Sequence, residues 1–378
     1  MTTNSKTPNS AQQLVELGTS VWYDNISRDI LENGEMKRLI AEWGVRGLTS
    51  NPTIFDKAIS SSSLYDATIQ KLKATHPTPD KIFEELAVQD IAAAADLLRP
   101  IFDSSDGVDG FVSIEVSPLL AANTEGTIQE GVRLYEKLAR PNIMIKVPGT
   151  PDGIPAVFAL LEKGINVNIT LLFSVDNYVK VAQVYCDALR ARVKKGLPVD
   201  KIRSVASFFV SRVDTAVDAK LDAIAQENDP ARAELARALR GQLGVANSRA
   251  AYKRFQEIFE GDAFADLRAK GAKPQRPLWA STGTKDPKYR DVVYVEELIG
   301  PETVNTMPHQ TLAAFVEHGV AKSTITKDVA TAVAVEGKLK GLGIDVDGIL
   351  DFLQTDGVKK FSESFRALNE SISKKLGQ

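Results

Sequence analysis

A lysine interrupts the apolar segment NIMIKVP at residues 142–148, which otherwise has the composition of a buried strand. Burying an unpaired ammonium group is costly, so Lys146 requires either a partner or a chemical task. Burial also favours the neutral amine, because desolvation disfavours the charged form. A neutral amine can attack a ketone and form an iminium, which lets the adjacent carbon–carbon bond break or form. The alternative is a structural lysine that pairs with Glu115 or with a backbone carbonyl.

Schiff-base chemistry also requires groups that move protons. One acid–base group must serve the formation and dehydration of the carbinolamine, and a second base must take the proton of the substrate hydroxyl beside the bond that breaks. Glu115, in FVSIEVSP, and Asp24, in YDNIS, are the carboxylates available on predicted strands. Either could instead be a solvated residue at the end of a strand, and Asp24 could instead begin a helix.

A candidate anion site lies later in the chain. The segment WASTGTKDP supplies hydroxyl groups, a glycine and a cation at residues 281–285, and SFFVSR adds Arg212. Short hydroxyl side chains, exposed backbone N–H groups and one or two cations suit a phosphate monoester. The competing interpretation of residues 281–284, Ser-Thr-Gly-Thr, is an ordinary turn.

Short apolar runs alternate with stretches of helical length, which is typical of repeated βα units. The runs lie near residues 20–24, 46–50, 111–117, 142–148, 165–173, 202–210, 277–282 and 302–306. Eight such units predict a closed (β/α)₈ barrel rather than a doubly wound sheet of five or six strands.

Polar residues alternate with apolar ones in two of these runs, FVSIEVSP and INVNIT. This pattern is also typical of an antiparallel sheet with one solvated face, but the helical spacers argue against that sheet. In a barrel the polar side chains point inward, and those near the carboxyl ends of the strands line the active-site face. The side chains expected to converge there are those of Asp24, Asn51, Glu115, Lys146, Asn168, Thr170 and Ser207.

The remaining organisation follows from composition. Residues 1–12 are predicted to be a flexible tail and residues 13–378 a single barrel domain. An insertion at 228–272, between strands six and seven, is long enough for two helices. The sequence of residues 347–375 predicts a terminal helix that is interrupted near Gly357.

The charge balance excludes several classes of partner. The 46 basic and 49 acidic residues are well mixed, with a net charge of −3, so the chain has no basic field for nucleic acid or an anionic membrane. No segment approaches the roughly 20 apolar residues of a membrane span. One cysteine and three histidines provide no zinc-like spacing, so no metal site is expected. The single cysteine cannot form an intramolecular disulfide, and together with the polar start of the chain it favours the cytoplasm.

Six segments in this order resemble the transaldolase family, in particular its longer bacterial and plant-like subgroup. They are GLTSNPTIF, FVSIEVSP, NIMIKVPGT, INVNITLLFS, ASFFVSR and LWASTGTKDP. The resemblance implies a (β/α)₈ barrel that transfers a dihydroxyacetone unit between a ketose phosphate and an aldose phosphate in the non-oxidative pentose phosphate pathway. It implies sugar phosphates as substrates and no metal or organic cofactor. The expected assembly is a monomer or a homodimer.

The resemblance also implies roles for residues at matching positions. Lys146 matches the Schiff-base lysine, Glu115 the carboxylate that acts through a water, and Asp24 the base for the C4 hydroxyl. Thr170 matches the residue that orients the water. The substrate contacts implied are Asn51, Asn168 and Ser207 for the dihydroxyacetone end, and Arg212, Ser281 and Lys285 for the phosphate. Phe209 is predicted as a further substrate-binding residue. Shorter relatives carry an arginine where this chain has Lys285, and lysine lacks the arginine fork.

Two other functions stay open at this point. A Schiff-base aldolase would release free dihydroxyacetone, although the length of the chain and its insertion favour the transferase. A non-catalytic sugar-phosphate-binding barrel would use Lys146 and Glu115 only as a buried pair, but it has no need of two strand carboxylates beside a phosphate loop.

Overall fold

Eight parallel strands form a closed barrel in chain order. The computed structural model describes residues 8–76, 78–327 and 329–377, with the backbone alone for 329–333. The strands are β1 Thr19–Tyr23, β2 Gly47–Leu48, β3 Val112–Glu115, β4 Ile143–Pro148, β5 Val167–Leu172, β6 Ser204–Phe209, β7 Arg276–Ala280 and β8 Thr303–Met307. Each lies within or beside a predicted run, and β1 pairs with β8, so the (β/α)₈ barrel is confirmed.

Helices follow the strands and surround the barrel. They are α1 Ser10–Glu16, α2 Arg28–Glu32, α3 Glu35–Trp43, α4 Pro52–Ser60, α5 Asp66–Leu72, α6 Pro79–Ser104, α7 Thr124–Leu138, α8 Gly153–Glu162, α9 Val175–Lys194, α10 Ser211–Ile224, α11 Pro230–Leu239, α12 Leu243–Phe255, α13 Ala265–Arg268, α14 Val293–Glu296, α15 His309–His318, α16 Val329–Gly341 and α17 Val346–Lys375. In the described ranges, no helix combines the length and the apolar character needed to cross a membrane.

The amino-terminal end of the chain differs from the sequence prediction. Residues 1–7 of the expected tail lie outside the described residues. The packed part of the chain starts before residue 13, because α1 begins at Ser10 behind a capping box of Asn9 and Gln12 and buries Ala11 and Leu14. The division into one domain over 13–378 stays a prediction.

The insertion between β6 and β7 contains the two expected helices, α11 and α12. It continues as a π-helical turn at Gln256–Glu260 and the short helix α13.

The predicted interruption of the terminal helix at Gly357 is wrong, since α17 is continuous from Val346 to Lys375. The glycine serves a close contact instead. A Cβ atom at 357 would lie 2.8 Å from Cδ2 of Leu171, so a larger residue would push α17 away from the carboxyl end of β5. Leu171 itself has a φ of 60°, where the register of β5 and β6 shifts. This bulge brings the carbonyl of Leu171 within 3.0 Å of the Gln354 amide nitrogen, which donates to it.

A buried ion cluster closes the amino-terminal end of the barrel. The carboxylate of Asp109 accepts hydrogen bonds from Arg46 at 2.9 Å, Arg276 at 3.0 Å and Ser20 at 2.6 Å. The cluster joins β1 and β7 to the loops that precede β2 and β3. The charge of Arg276 and these hydrogen bonds overcome burial and hold the pKa of Asp109 below its usual range.

Replacing Asp109 should destabilise the barrel without changing the arrangement of residues at its carboxyl-terminal end. Asp109→Asn removes the charge between two arginines and should lower the free energy of unfolding by about 3 kcal/mol. Because the folded pKa of Asp109 is lowered, its contribution is full above the usual carboxyl range and lost as the pH falls through the folded value. Denaturant titrations followed by tryptophan fluorescence at pH 7 and pH 3 should show that the loss of unfolding free energy in Asp109→Asn is smaller at the lower pH. Asp106→Asn, at an exposed ion pair with Lys201, is the matched control and should unfold like the wild type.

Candidate active site

A row of polar side chains crosses three neighbouring strands at the same height in the barrel. Glu115 on β3 is in register with Lys146 on β4, and Lys146 is in register with Asn168 on β5. The amide nitrogen of Asn168 donates to Ser113 Oγ of β3 at 3.0 Å. Since β4 lies between these two strands, their side chains must meet inside the barrel.

Lys146 is buried against one carboxylate and one carbonyl. Its Nζ atom lies 3.3 Å from Glu115 Oε2 and donates to the carbonyl of Ser50 at 3.1 Å. The side chains of Lys146 and Glu115 are 6% and 4% exposed. Burial raises the pKa of Glu115, and the charge of Lys146 opposes this effect only in part. The protonated form of Glu115 is therefore favoured more than that of a solvated carboxyl group.

Asp24 lies directly after β1 and faces the same cavity. Thr49 Oγ1 donates to Asp24 Oδ1 at 2.6 Å and lies 2.6 Å from Thr306 Oγ1. Burial raises the pKa of Asp24, while the Thr49 hydrogen bond and the charges of Lys146 and Arg212 lower it in part. The result is a carboxylate with more basic character than a solvated one.

The polar residues around Lys146 differ in how much of their hydrogen bonding is already used. Ser207 Oγ donates to Asn168 Oδ1 at 2.6 Å, so the Asn168 amide is fixed on both sides. Asn51 lines the cavity, and its Oδ1 caps α4 by accepting from the Ile54 N–H at 3.0 Å, so the cap uses its oxygen and not its NH₂ group. Thr170 Oγ1 and Glu115 Oε1 are buried and have no partner among the described residues. Buried oxygen atoms of this kind are normally satisfied, often by water.

Cations and short hydroxyl side chains line the other side of the cavity. Arg212, in the first turn of α10, places its guanidinium 5.0 Å from the centre of the Phe209 ring. Desolvation lowers the pKa of Arg212, and the charges of Asp356, Asp24 and Glu115 counteract this. Ser281 Oγ lies 2.9 Å from Ser211 Oγ.

The loop after β7 departs from regular structure where it faces the cavity. Ser281 has a φ of 57°, a strained value for a residue with a side chain, and Lys285 is exposed at the rim.

Buried carboxylates on α10 fix this loop. Tyr289 donates to Asp218 Oδ2 at 2.5 Å, and Tyr294 donates to Asp214 Oδ2 at 2.8 Å. Burial raises the pKa of Asp214 to about 7. Because α10 also begins with Ser211 and Arg212, these hydrogen bonds hold Arg212 at a fixed distance from the loop that carries Ser281 and Lys285.

The cavity brings together almost all residues predicted from the sequence. It has a volume of about 160 Å³ and is lined by Asp24, Asn51, Lys146, Thr170, Ser207, Phe209, Arg212, Ser281 and Lys285. Glu115 and Asn168 lie behind this lining and reach it through Lys146 and Ser207.

The sequence prediction did not include Thr49, Thr306 and Phe361, which also line the cavity. Thr49 is adjacent to Asn51 in GLTSNPTIF, so it could have been found. The ring of Phe361 lies 5.5 Å from Lys146 Nζ, but it comes from α17 and the sequence around it signals only an amphipathic helix.

Comparison with known proteins agrees with this geometry. The family described as Transaldolase/Fructose-6-phosphate aldolase matches residues 21–372 of the chain. The chain belongs to this family.

Relatives of the family are similar over almost their whole length. A transaldolase from Trichodesmium erythraeum is 43% identical over 374 residues, which is 97% of this chain and 98% of that protein. A transaldolase from Mycobacterium marinum is 46% identical over 374 residues, or 98% of each chain. A transaldolase from Frankia alni is 44% identical over 371 residues, again 98% of each. These full-length similarities favour transaldolase activity over the two alternative functions.

The Thr49 hydrogen bond should set the acid limb of the pH profile. If Asp24 acts as a base, it must be ionised, and the hydrogen bond from Thr49 stabilises its ionised form. Thr49→Val should raise the pKa of Asp24 and move the acid limb of kcat/KM for transaldolase turnover upward by about one pH unit. Steady-state rates between pH 4.5 and 9 measure this shift. Thr124→Val, which loses a hydrogen bond to the Asp152 carbonyl instead, is the control and should keep the wild-type limb. An unmoved limb in Thr49→Val would mean that another group sets it.

Proposed function

We propose that the transaldolase activity of this chain proceeds through a Schiff base on Lys146, with Glu115 and Asp24 as its proton-transfer groups. The observation that carries this proposal is the buried contact of Lys146 with Glu115, which opens on a cavity shared with Asp24 and Arg212. A lysine in this position is shielded from water, and a carboxyl of raised pKa lies beside it.

Glu115 suits both directions of carbinolamine chemistry. When the ketone has added to Lys146, the nitrogen is neutral and no longer lowers the pKa of Glu115, so the protonated acid can deliver its proton to the departing hydroxyl. Loss of water leaves a cationic iminium beside the carboxylate, which stabilises it. The free Oε1 of Glu115 and the Thr170 hydroxyl are available to hold the water that carries the proton.

Asp24 is proposed to take the proton of the C4 hydroxyl as the C3–C4 bond breaks. The aldose leaves, and the electron pair of the broken bond is retained as an enamine on Lys146. The acceptor aldehyde then reacts with C3 of the enamine, and Asp24 returns the proton to its oxygen. Each proton removed in the first half of the cycle is thus returned in the second.

The remaining predicted residues are proposed as substrate contacts. Asn51, Ser207 and Phe209 face the cavity near Lys146 and are assigned to the dihydroxyacetone unit, with Asn168 acting through its bond to Ser207. Arg212, Ser281 and Lys285 are assigned to the phosphate. Arg212 can make bidentate contacts, whereas Lys285 contributes a point charge from the rim.

The family implies sugar phosphates as substrates. We assign sedoheptulose 7-phosphate or fructose 6-phosphate as donor, and glyceraldehyde 3-phosphate or erythrose 4-phosphate as acceptor, within the pentose phosphate pathway. A cytoplasmic location and a monomeric or homodimeric state remain part of this proposal.

Covalent trapping tests the Schiff base. Borohydride reduction in the presence of fructose 6-phosphate should add a dihydroxyacetone-derived group to the peptide that contains Lys146, as mass spectrometry would show. Lys146→Met should abolish the adduct and lower kcat by roughly 10⁴-fold or more, because no nucleophile remains. An unlabelled wild type would contradict the mechanism and favour a non-catalytic sugar-phosphate-binding barrel. In the same assay, free dihydroxyacetone formed without acceptor as fast as transfer to erythrose 4-phosphate would indicate an aldolase.

The phosphate contacts should affect affinity more than chemistry. Arg212→Gln should lower kcat/KM for phosphorylated acceptors by about 100-fold, and Lys285→Ala by about tenfold, since charge-assisted hydrogen bonds contribute about 1.5–3 kcal/mol. Both variants should still form the borohydride adduct. Lys288→Ala, an exposed lysine on the same loop, is the control and should behave as the wild type. Equal losses with unphosphorylated glyceraldehyde as acceptor would assign these residues to another role.

A further inference from the structure

We propose that Phe361, on the C-terminal helix α17, determines whether this enzyme transfers its three-carbon unit or releases it. The ring is inferred to shield the enamine on Lys146 from proton donors until an acceptor aldehyde arrives. This inference rests on the Schiff base proposed above.

The position of the ring is the first evidence. Phe361 is 4% exposed, lines the cavity, and has its ring centre 5.5 Å from Lys146 Nζ. The other cavity residues lie in or near the barrel strands, whereas Phe361 covers the reactive nitrogen from a separate helix. An aromatic ring at this distance excludes water and carries no transferable proton.

Contacts on both sides of Phe361 hold the ring in place. Gln354 donates to the carbonyl of Gly149, just after β4, at 3.1 Å and to that of Leu171, near the end of β5, at 3.0 Å. On the other side, Ser364 Oγ lies 2.8 Å from Thr53 Oγ1 of α4. Gly357 permits the close approach of α17 to Leu171 described above. The ring is therefore fixed over the site by the barrel itself.

The chemistry that the ring must prevent is a single protonation. If water or another acid donates a proton to C3 of the enamine, the electron pair forms a new C–H bond and leaves an iminium. Hydrolysis of the iminium consumes one water and releases dihydroxyacetone and the free amine of Lys146. The groups in contact with Nζ are the Ser50 carbonyl, which cannot donate a proton, and Glu115. At this stage Asp24 carries the proton that it took from the C4 hydroxyl and returns it to the acceptor oxygen. Water that enters through the position of Phe361 is the further donor, and it is the one that the ring excludes.

A partition experiment in ²H₂O tests the role of Phe361. The enzyme is supplied with fructose 6-phosphate, with and without erythrose 4-phosphate, and free dihydroxyacetone and the transfer product are quantified by NMR. Phe361→Ala should raise the ratio of release to transfer at least tenfold. The released dihydroxyacetone should carry one carbon-bound deuterium from the solvent. Phe361→Tyr, which keeps the ring but adds a donor, should also raise the ratio while staying close to the wild type in thermal stability.

Phe365 provides the matched control. It lies one turn later on α17, packs with its ring centre 5.7 Å from that of Phe83, and does not line the cavity. Phe365→Ala should lower the melting temperature but leave the ratio of release to transfer at the wild-type value.

Three outcomes would overturn the inference. The ratio could stay unchanged in Phe361 variants that still form the borohydride adduct, or it could rise as much in Phe365→Ala as in Phe361→Ala. If Phe361→Ala forms no borohydride adduct, Phe361→Tyr becomes the deciding variant. An unchanged ratio of release to transfer in Phe361→Tyr would then contradict the proposal. Failure of the proposed mechanism is distinguishable, because the wild type would then form no adduct at Lys146.

Discussion

The buried contact between Lys146 and Glu115 is the constraint on which the site depends. Removing two charges from water costs several kcal/mol for each, so the pair persists only where the surroundings supply compensating contacts. The barrel does so by placing the two residues in register on adjacent strands, with the Ser50 carbonyl as a further acceptor for the ammonium. The apolar cover above and the amide of Asn168 beside the pair follow from the same requirement.

Electrostatic coupling extends this constraint across the cavity. Burial raises the pKa of Asp24, and the charges of Lys146 and Arg212 lower it in part. On the proposed mechanism, a bound phosphate dianion offsets the field of Arg212, so Asp24 becomes more basic when the substrate is present. On that mechanism Arg212 binds the phosphate of the sugar and also adjusts the pKa of Asp24, which acts at the C4 hydroxyl. The proposed mechanism therefore couples phosphate binding to proton transfer.

The sequence sufficed to predict the barrel and most of the cavity lining, because strand periodicity determines both. Alternation in FVSIEVSP placed Glu115 inside, and the order of βα units placed Arg212 and Ser281 at one end. The prediction failed at Gly357. The low helix propensity of glycine indicates a helix break, whereas in the structure the glycine lets the continuous helix pack closely against Leu171. Phe361 was missed for a related reason. Its partners are distant in sequence, and amphipathic periodicity does not reveal which surface a helix covers.

Closure of the barrel has a kinetic consequence. Thr19 on β1 contacts Thr303 on β8, 284 positions later in the chain, and Phe361 comes later still. Contacts at such separations form late in folding, because ordering the intervening chain is costly in entropy. Until they form, Lys146 lacks the cover of Phe361 and stays open to water. The site is thus a product of folding, and an incompletely folded chain lacks the cavity that brings Lys146, the carboxylates and the covering ring together.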